Sequence, residues 1–259
     1  MCRMLIAIGN VNMNSLIEGT LLMANDKNRI HELNKKKGQG SWKHQDGWGV
    51  AYLDQKNEWK IEKSIRSLNK DSKINKFREI KTNLAIIHIR KKMGSETSLV
   101  NTHPFLKEIK KKGQFVFCHN GWIEDEIKYS SKFDPEGDTD SERLFYSILT
   151  DLKKTKIENS IRKNFKRYKK LNGTNIIFAS KDSSHIAIRT NKFPKYYQMY
   201  LGKKEDLIVI SSEEFPLRDV KWQPLEQEDI VNINNKDLTY SINKLLHKKQ
   251  KDIKIEEGL

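Results

Sequence analysis

Apolar residues recur along the chain in short runs of strand length, interrupted by stretches with helical spacing. Residues 4–8, Met-Leu-Ile-Ala-Ile, read as a short buried strand that Gly9 and Asn10 end. Asn14 can cap a helix whose Leu16, Ile17, Leu21 and Leu22 fall on one face. A lysine- and glycine-containing loop over 35–43 leads to His44-Gln45-Asp46-Gly47-Trp48-Gly49, where two glycines relax the backbone before a strand over 50–53. Residues 59–64 supply its hairpin partner. A further apolar run over 84–89 ends at Arg90, and a polar loop over 91–98 precedes Asn101-Thr102-His103-Pro104-Phe105. The next buried strand, 115–118, delivers His119-Asn120-Gly121.

Thr139-Asp140-Ser141-Glu142 has the spacing of a capping box and opens a helix through Leu144, Phe145, Ile148, Leu149 and Leu152. Residues 157–168 predict a second helix. Strands over 175–180, 185–189, 197–201 and 206–211 follow, with hairpin turns at Asp182-Ser183-Ser184 and Lys203-Lys204-Glu205. Past about residue 234 the chain turns polar, and 238–247 is expected to be helical. With no internal repeat and no long linker, one domain over 1–259 is expected, its core at about 2–234 and a polar C-terminal extension at 235–259. Strands, then helices, then strands again suit an α+β fold of two antiparallel sheets packed face to face with helices outside.

At 259 residues, with 36% hydrophobic and 32% charged, the chain can bury a substantial core, and its periodic apolar segments mark it as globular. The formal charge of +15 changes this picture little, because the lysines are spread out, with short runs such as Lys35-Lys36-Lys37, Lys110-Lys111-Lys112 and Lys248-Lys249. No helix-turn-helix, zinc-finger or RNA-recognition signature accompanies them, so a solvated surface is expected and nucleic acid is not. Two cysteines, Cys2 and Cys118, are too few for a disulfide framework. The 4–8 run is too short for a secretory signal, and no stretch reaches the roughly eighteen apolar residues of a membrane span. A cytoplasmic setting with no membrane partner is expected.

Cys2 raises the question of chemistry. Once Met1 is removed, a free α-amine that titrates near about 8 stands beside the thiol, so one residue holds nucleophile and base. While Met1 remains, that nitrogen is an amide whose lone pair is delocalised, and the chain is inert. The plain alternative is that Cys2 begins a buried strand as a small hydrophobe. Asn120-Gly121 also reads two ways, as a hairpin turn or as a side-chain amide and an unobstructed backbone N–H for an oxyanion. Arg90 carries the planar fork that matches a carboxylate, and Asp140 in a first helical turn suits the helix dipole. Arg3 orders the terminus or is a surface charge, and Asp46 to Gly49 line or brace the region around Cys2. His44, Asp46, His88, His103 and His119 lack metal-site spacing, so no metal is expected, and packing is the reading for His88 and His119.

Taken in order, Cys2, His44 to Gly49, His88-Ile89-Arg90, Asn101 to Phe105, His119-Asn120-Gly121 and Thr139 to Glu142 resemble the class II glutamine amidotransferases. These are N-terminal-nucleophile hydrolases that begin Met-Cys. The chain looks most like their small stand-alone branch, with His-x-Asp-Gly-Trp-Gly and Asn-Thr-His-Pro-Phe. The resemblance implies a four-layer αββα Ntn-hydrolase sandwich that uses no cofactor and no metal. It also implies that Cys2 attacks the side-chain amide of glutamine or a related γ-glutamyl compound to give a thioester. Asn120 and Gly121 would hold the oxyanion, and Arg90, Asp140 and His103 would bind the substrate. Many members have Arg-x-x-Thr where this chain has Arg90-Lys91-Lys92-Met93, so the substrate carboxylate is expected to be held by backbone N–H or otherwise. No synthase domain fits after the motifs, so transfer of ammonia would need an accepting partner subunit, and without one the chain would be a hydrolase. The alternatives are an inactive or regulatory amidotransferase-like subunit and a basic nucleic-acid-binding module.

Overall fold

The first strand, β1 (Arg3–Asn12), divides its own side chains between two layers. Successive strand residues point to opposite faces, so Met4, Ile6 and Ile8 join one buried cluster while Leu5 and Ala7 join another. The computed structural model describes residues 1–34 and 37–246. After β1 come α1 (Met13–Ala24), β2 (Trp48–Leu53), β3 (Trp59–Ser64), two 3-10 turns (Leu68–Lys70 and Ser72–Phe77), β4 (Lys81–Ile89), β5 (Phe105–Ile109) and β6 (Gly113–Ile123). Then follow α2 (Asp140–Leu152), α3 (Ile157–Arg167), β7 (Leu171–Ala179), β8 (Ser183–Ala187), β9 (Tyr200–Lys204), β10 (Leu207–Ser211), β11 (Lys221–Pro224), β12 (Asp229–Asn234) and β13 (Tyr240–Lys244).

Among the described residues, one sheet runs β11-β9-β10-β1-β4-β2-β3 and the other β13-β12-β8-β7-β6-β5, with antiparallel pairing. Met4, Ile6, Ile8 and Ile86 of the first sheet meet Val116, Cys118, Ile177 and Ile186 of the second in a central apolar layer. On the far side of the first sheet Leu5, Ala7 and Ile87 share a cluster with Leu16, Ile17 and Met23 of α1. On the far side of the second, Phe117, Ile176 and Phe178 pack with Phe145 and Ile148 of α2 and Ile161 of α3. The layers are therefore helix, sheet, sheet, helix, the α+β sandwich expected. Burying each such side chain contributes about 1.5–3 kcal/mol, so strand alternation is what binds the layers together.

Several boundaries differ from the expected ones for physical reasons. Gly9 does not end β1. It sits at φ +108, the pairing with β4 shifts register between Ile8 and Val11, and a Cβ at Gly9 would run into the Asp206 carbonyl. That glycine marks an irregularity and a close approach. The cap of α1 is Asn12, whose side chain accepts from Ser15 N at 3.0 Å, two residues before the expected Asn14. Thr139 does cap α2 by accepting from Glu142 N at 3.3 Å, but the Glu142 carboxylate takes Glu136 N at 3.0 Å and Gly137 N at 2.8 Å, and so pins the preceding loop.

The expected helix over 238–247 is instead strand β13, paired along β12, and Leu245 just beyond it is fully buried in the helix-side core. Leu238, Ile242, Leu245 and Leu246 have helix-like spacing, but the free edge of β12 offers a ladder of backbone partners. His247 lies outside the described residues. No helix among the described residues is long and apolar enough to cross a membrane.

Phe117 is fully buried and stacked on Phe145 with centroids 5.0 Å apart and planes at 4°. Phe117→Ala is expected to lower the unfolding free energy by about 3–5 kcal/mol. Urea denaturation measures this, and a loss under about 1 kcal/mol would contradict the packing described.

Candidate active site

The alternation that builds the core also assembles the site. Continuing back from Ile8, Ile6 and Met4, residue 2 falls on the face of β1 that looks toward the other sheet, and onward from Val116 and Cys118, residue 120 falls on the facing side of β6. The backbone nitrogen of Cys2 donates to Asn120 Oδ1 at 2.7 Å. The side chain of Asn120 is completely buried and its Nδ2 has no partner among the described residues. Asn120 and Gly121 lie within β6, opposite Asn175 and Thr174 of β7, so the hairpin-turn reading is excluded. A Cβ at Gly121 would run into the Gly173 carbonyl and His119 Nε2, so the position admits only glycine.

Around this contact most polar groups are buried. Arg90 follows β4 and is 3% exposed. Its Nη2 donates to Ser95 Oγ at 2.7 Å and to the Glu96 carbonyl at 2.8 Å, while its Nη1 is buried without a partner among the described residues. One side of the guanidinium thus shapes its own loop and the other remains free to meet an anion. Asp46 braces the same loop, accepting Lys92 N at 3.1 Å and donating its own N–H to the Arg90 carbonyl at 3.0 Å. Met93 is exposed. Asp140, first in α2, accepts Ile123 N at 2.8 Å through Oδ2, which ties the helix start to the end of β6. His103 packs between His88 and Phe105 with ring centroids 4.2 and 4.5 Å away and the planes tilted, and neither of its ring nitrogens has a partner among the described residues.

The surface-charge reading of Arg3 is excluded. It is buried, pairs with Glu213 at 2.7 Å, donates to the Tyr196 carbonyl at 2.6 Å and lies 3.9 Å over the Tyr196 ring. Burial pushes the Glu213 carboxyl up, and Arg3 opposes that rise. The sequence reading missed Tyr196 and Tyr197. Tyr196 Oη donates to the Cys2 carbonyl at 3.0 Å and lies 3.0 Å from His44 Nε2, and Tyr197 shares an apolar cluster with Met1. The only signal was an aromatic pair at the start of the strand expected over 197–201, which looks like ordinary core. Met1 is 7% exposed and its α-amine donates to the Lys91 carbonyl at 2.6 Å, with burial lowering the pKa of that amine.

Burial also keeps the neighbouring histidines uncharged. It pushes His88 down to about 3 and His119 to about 4, and holds His44 and His103 well below their ordinary value. His119 Nδ1 lies 2.9 Å from Ser141 Oγ and His88 Nε2 lies 3.3 Å from the His119 carbonyl, so both anchor the strand that carries Asn120. Burial raises the Cys118 thiol, leaving it protonated in the core. Among the described residues no group of three His, Cys, Asp or Glu side chains could hold a metal ion. The arrangement is a buried thiol whose backbone nitrogen is held by an asparagine that keeps a free amide N–H, beside an unpaired guanidinium nitrogen.

The profile of the class II glutamine amidotransferases matches residues 30–175. A Methanocaldococcus jannaschii protein is 31% identical over 125 residues, covering 44% of this chain and 33% of its own. YafJ of Escherichia coli strain K12, whose name carries the words glutamine amidotransferase, is 32% identical over 122 residues, covering 45% of this chain and 46% of its own. The matched stretch therefore spans less than half the length of these relatives. Among solved structures, the glutamine phosphoribosylpyrophosphate amidotransferase of B. subtilis superposes with a TM-score of 0.67 at 15% identity, over 96% of this chain and 50% of that one. A glutamine aminotransferase class-II domain protein from Silicibacter pomeroyi gives 0.58 at 14% identity, over 94% and 99%. At such identities the likeness concerns the fold.

Because His119 and His88 are held at about 4 and about 3 in the folded chain against an ordinary value of 6.5, the unfolded chain takes up their protons first as pH falls. Their contribution to stability is therefore complete above about 6.5, declines as pH drops through the window down to about 4 and 3, and levels off below it. NMR titration of the His119 ring should show no charge uptake between about pH 5 and 8. A midpoint near the ordinary histidine value would contradict the burial described.

Proposed function

Because the chain belongs to the class II glutamine amidotransferase family, we propose that it is an N-terminal-cysteine amidohydrolase cleaving the side-chain amide of glutamine or a related γ-glutamyl compound. The observation that carries this reading is the 2.7 Å bond from Cys2 N to Asn120 Oδ1, with Asn120 Nδ2 left buried and free. Removal of Met1 turns the bonded nitrogen into an amine whose lone pair can take the thiol proton. With the histidines around it neutral and buried, that amine is the base best placed for the step.

The thiolate adds to the amide carbonyl, and the oxyanion is received by Asn120 Nδ2 and the Gly121 N–H. Collapse breaks the C–N bond, and the Cys2 ammonium returns its proton to the departing nitrogen. Water, deprotonated by the same amine, then releases the γ-glutamyl acid and the thiol. Arg90 Nη1 suits the substrate α-carboxylate as a charge-assisted donor, Asp140 suits the α-ammonium, and the neutral His103 offers a ring nitrogen to the same substrate. Ammonia released from glutamine would be transferred only if a partner subunit accepts it. The reducing cytoplasm is the setting that keeps such a thiol free.

One observation favours the second reading, a catalytically inactive regulatory subunit: the burial of Met1, whose α-amine is already bonded to the Lys91 carbonyl. A folded chain that keeps Met1 has an amide where the base should be. Excision of Met1 would then belong before folding is complete.

Cys2→Ala should abolish turnover of a γ-glutamyl panel assayed with protein whose mass lacks Met1, and wild-type turnover in that variant would end the amidohydrolase reading. Asn120→Ala, with folding checked by circular dichroism, should lower kcat by roughly a hundredfold or more. A loss of only about twofold would remove Asn120 from the oxyanion site.

A further inference from the structure

We propose that the space Met1 fills in the unprocessed chain is the leaving-group pocket of the processed enzyme, shaped for the amine of an apolar γ-glutamyl amide and not for ammonia alone. The proposal rests on the amidohydrolase reading above. In that chemistry the Cys2 nitrogen hands its proton to the departing nitrogen, so the two must lie within about 3 Å of each other. The Cys2 nitrogen has limited directions to offer. One holds its own Cα and another Asn120 Oδ1 at 2.7 Å. A third is taken by the Met1 carbonyl carbon until Met1 is cut away, and a leaving group attached to the departing nitrogen extends along it.

That direction leads into an aromatic enclosure. Met1 forms one apolar cluster with Tyr196 and Tyr197, against which Leu33, Trp42 and Phe193 pack. None of these side chains carries a charge, and the two cations that lie over the enclosure's rings, Arg3 at 3.9 Å from the Tyr196 centroid and Lys91 at 4.6 Å from the Trp42 centroid, are already bonded to Glu213 and to the Lys43 carbonyl. Three polar atoms border the enclosure: the Lys91 carbonyl, which loses the Met1 amine on processing and can accept an N–H of the departing amine, and the Tyr197 hydroxyl and Trp42 Nε1, which have no partner among the described residues even with Met1 in place and so lose nothing when an alkyl group replaces its side chain.

The walls are held by bonds that do not involve the Met1 side chain, so the space should persist. Tyr196 is fixed by the Cys2 carbonyl, His44 and the Arg3 guanidinium. The Tyr197 ring covers Gly173, where a Cβ would come within 2.5 Å of it. Trp42 N is held at 2.8 Å by the Asp26 carboxylate. Ammonia would leave the volume of a methionine side chain empty, whereas an alkyl or benzyl amine would fill it. In the balanced step, the Cys2 S–C bond forms, the C–N bond breaks, the amine departs with the proton from the Cys2 ammonium, and water later hydrolyses the thioester.

The test measures kcat/KM of the protein lacking Met1 for L-glutamine and for the γ-glutamyl amides of methylamine, butylamine, benzylamine and taurine. Simple alkyl amides are chemically no more reactive than glutamine, so a rise reports the pocket. The expected result is an increase of at least about tenfold from glutamine to the butyl or benzyl amide, with the anionic taurine amide below both. Glutamine hydrolysed as well as or better than the butyl and benzyl amides would overturn the pocket while leaving the amidohydrolase reading intact. No hydrolysis of any of the five compounds would overturn both.

Discussion

The hydrogen bond between Cys2 and Asn120 joins the two sheets at the end where the chemistry would occur, next to the contact of His88 with the His119 carbonyl. The nitrogen of Cys2, just ahead of β1, donates to the side chain of Asn120 near the end of β6, across 118 positions of sequence. That bond exists because both strands keep their parity. A slip of one residue in either would turn Cys2 or Asn120 toward a helical layer. The apolar alternation through Met4, Ile6 and Ile8 on one side and Val116 and Cys118 on the other is therefore what places these two groups, and the packing energy of the core serves the geometry of the site.

Around the bond the fold removes mobile charge and keeps directed donors. The histidines are buried and neutral, so they anchor strands through their ring nitrogens instead of competing for protons. Arg3 is met by a carboxylate, a carbonyl and a ring face. Removing one partner of such a pair commonly costs about 3–5 kcal/mol. This ties Tyr196, whose hydroxyl holds the Cys2 carbonyl, firmly to the first sheet through Arg3 and Glu213. The same tyrosine then serves two ends, orienting Cys2 and walling the space beside it.

Much of the architecture was legible because short continuous apolar runs rich in Ile, Val and Phe, bounded by turn residues, fit strands buried on both faces. What misled was punctuation. Gly9 looks like a strand end, yet its positive φ accommodates a register shift inside a longer strand. Asn120-Gly121 looks like a turn, and only its pairing with Asn175 and Thr174 places it mid-strand. Leu238, Ile242, Leu245 and Leu246 mimic a helical face, but the edge they complete belongs to a sheet whose other strands lie far away in sequence. At the site, Cys2, Arg90, Asn120 and Asp140 stood out by residue type and order. Tyr196, Tyr197 and Trp42 did not, because an aromatic wall has no spacing of its own and is defined by what it encloses.

The central claim is that residue 2 works as a thiol and an amine together, and only once Met1 is gone. Its most direct measurement is intact and peptide mass after treatment with a diazoketone analogue of glutamine, applied in parallel to chains with and without Met1. The account predicts one adduct, on Cys2, formed in the chain lacking Met1 and absent from the chain that keeps it. Equal labelling of both chains, or labelling that spares Cys2 in the processed chain, would contradict it.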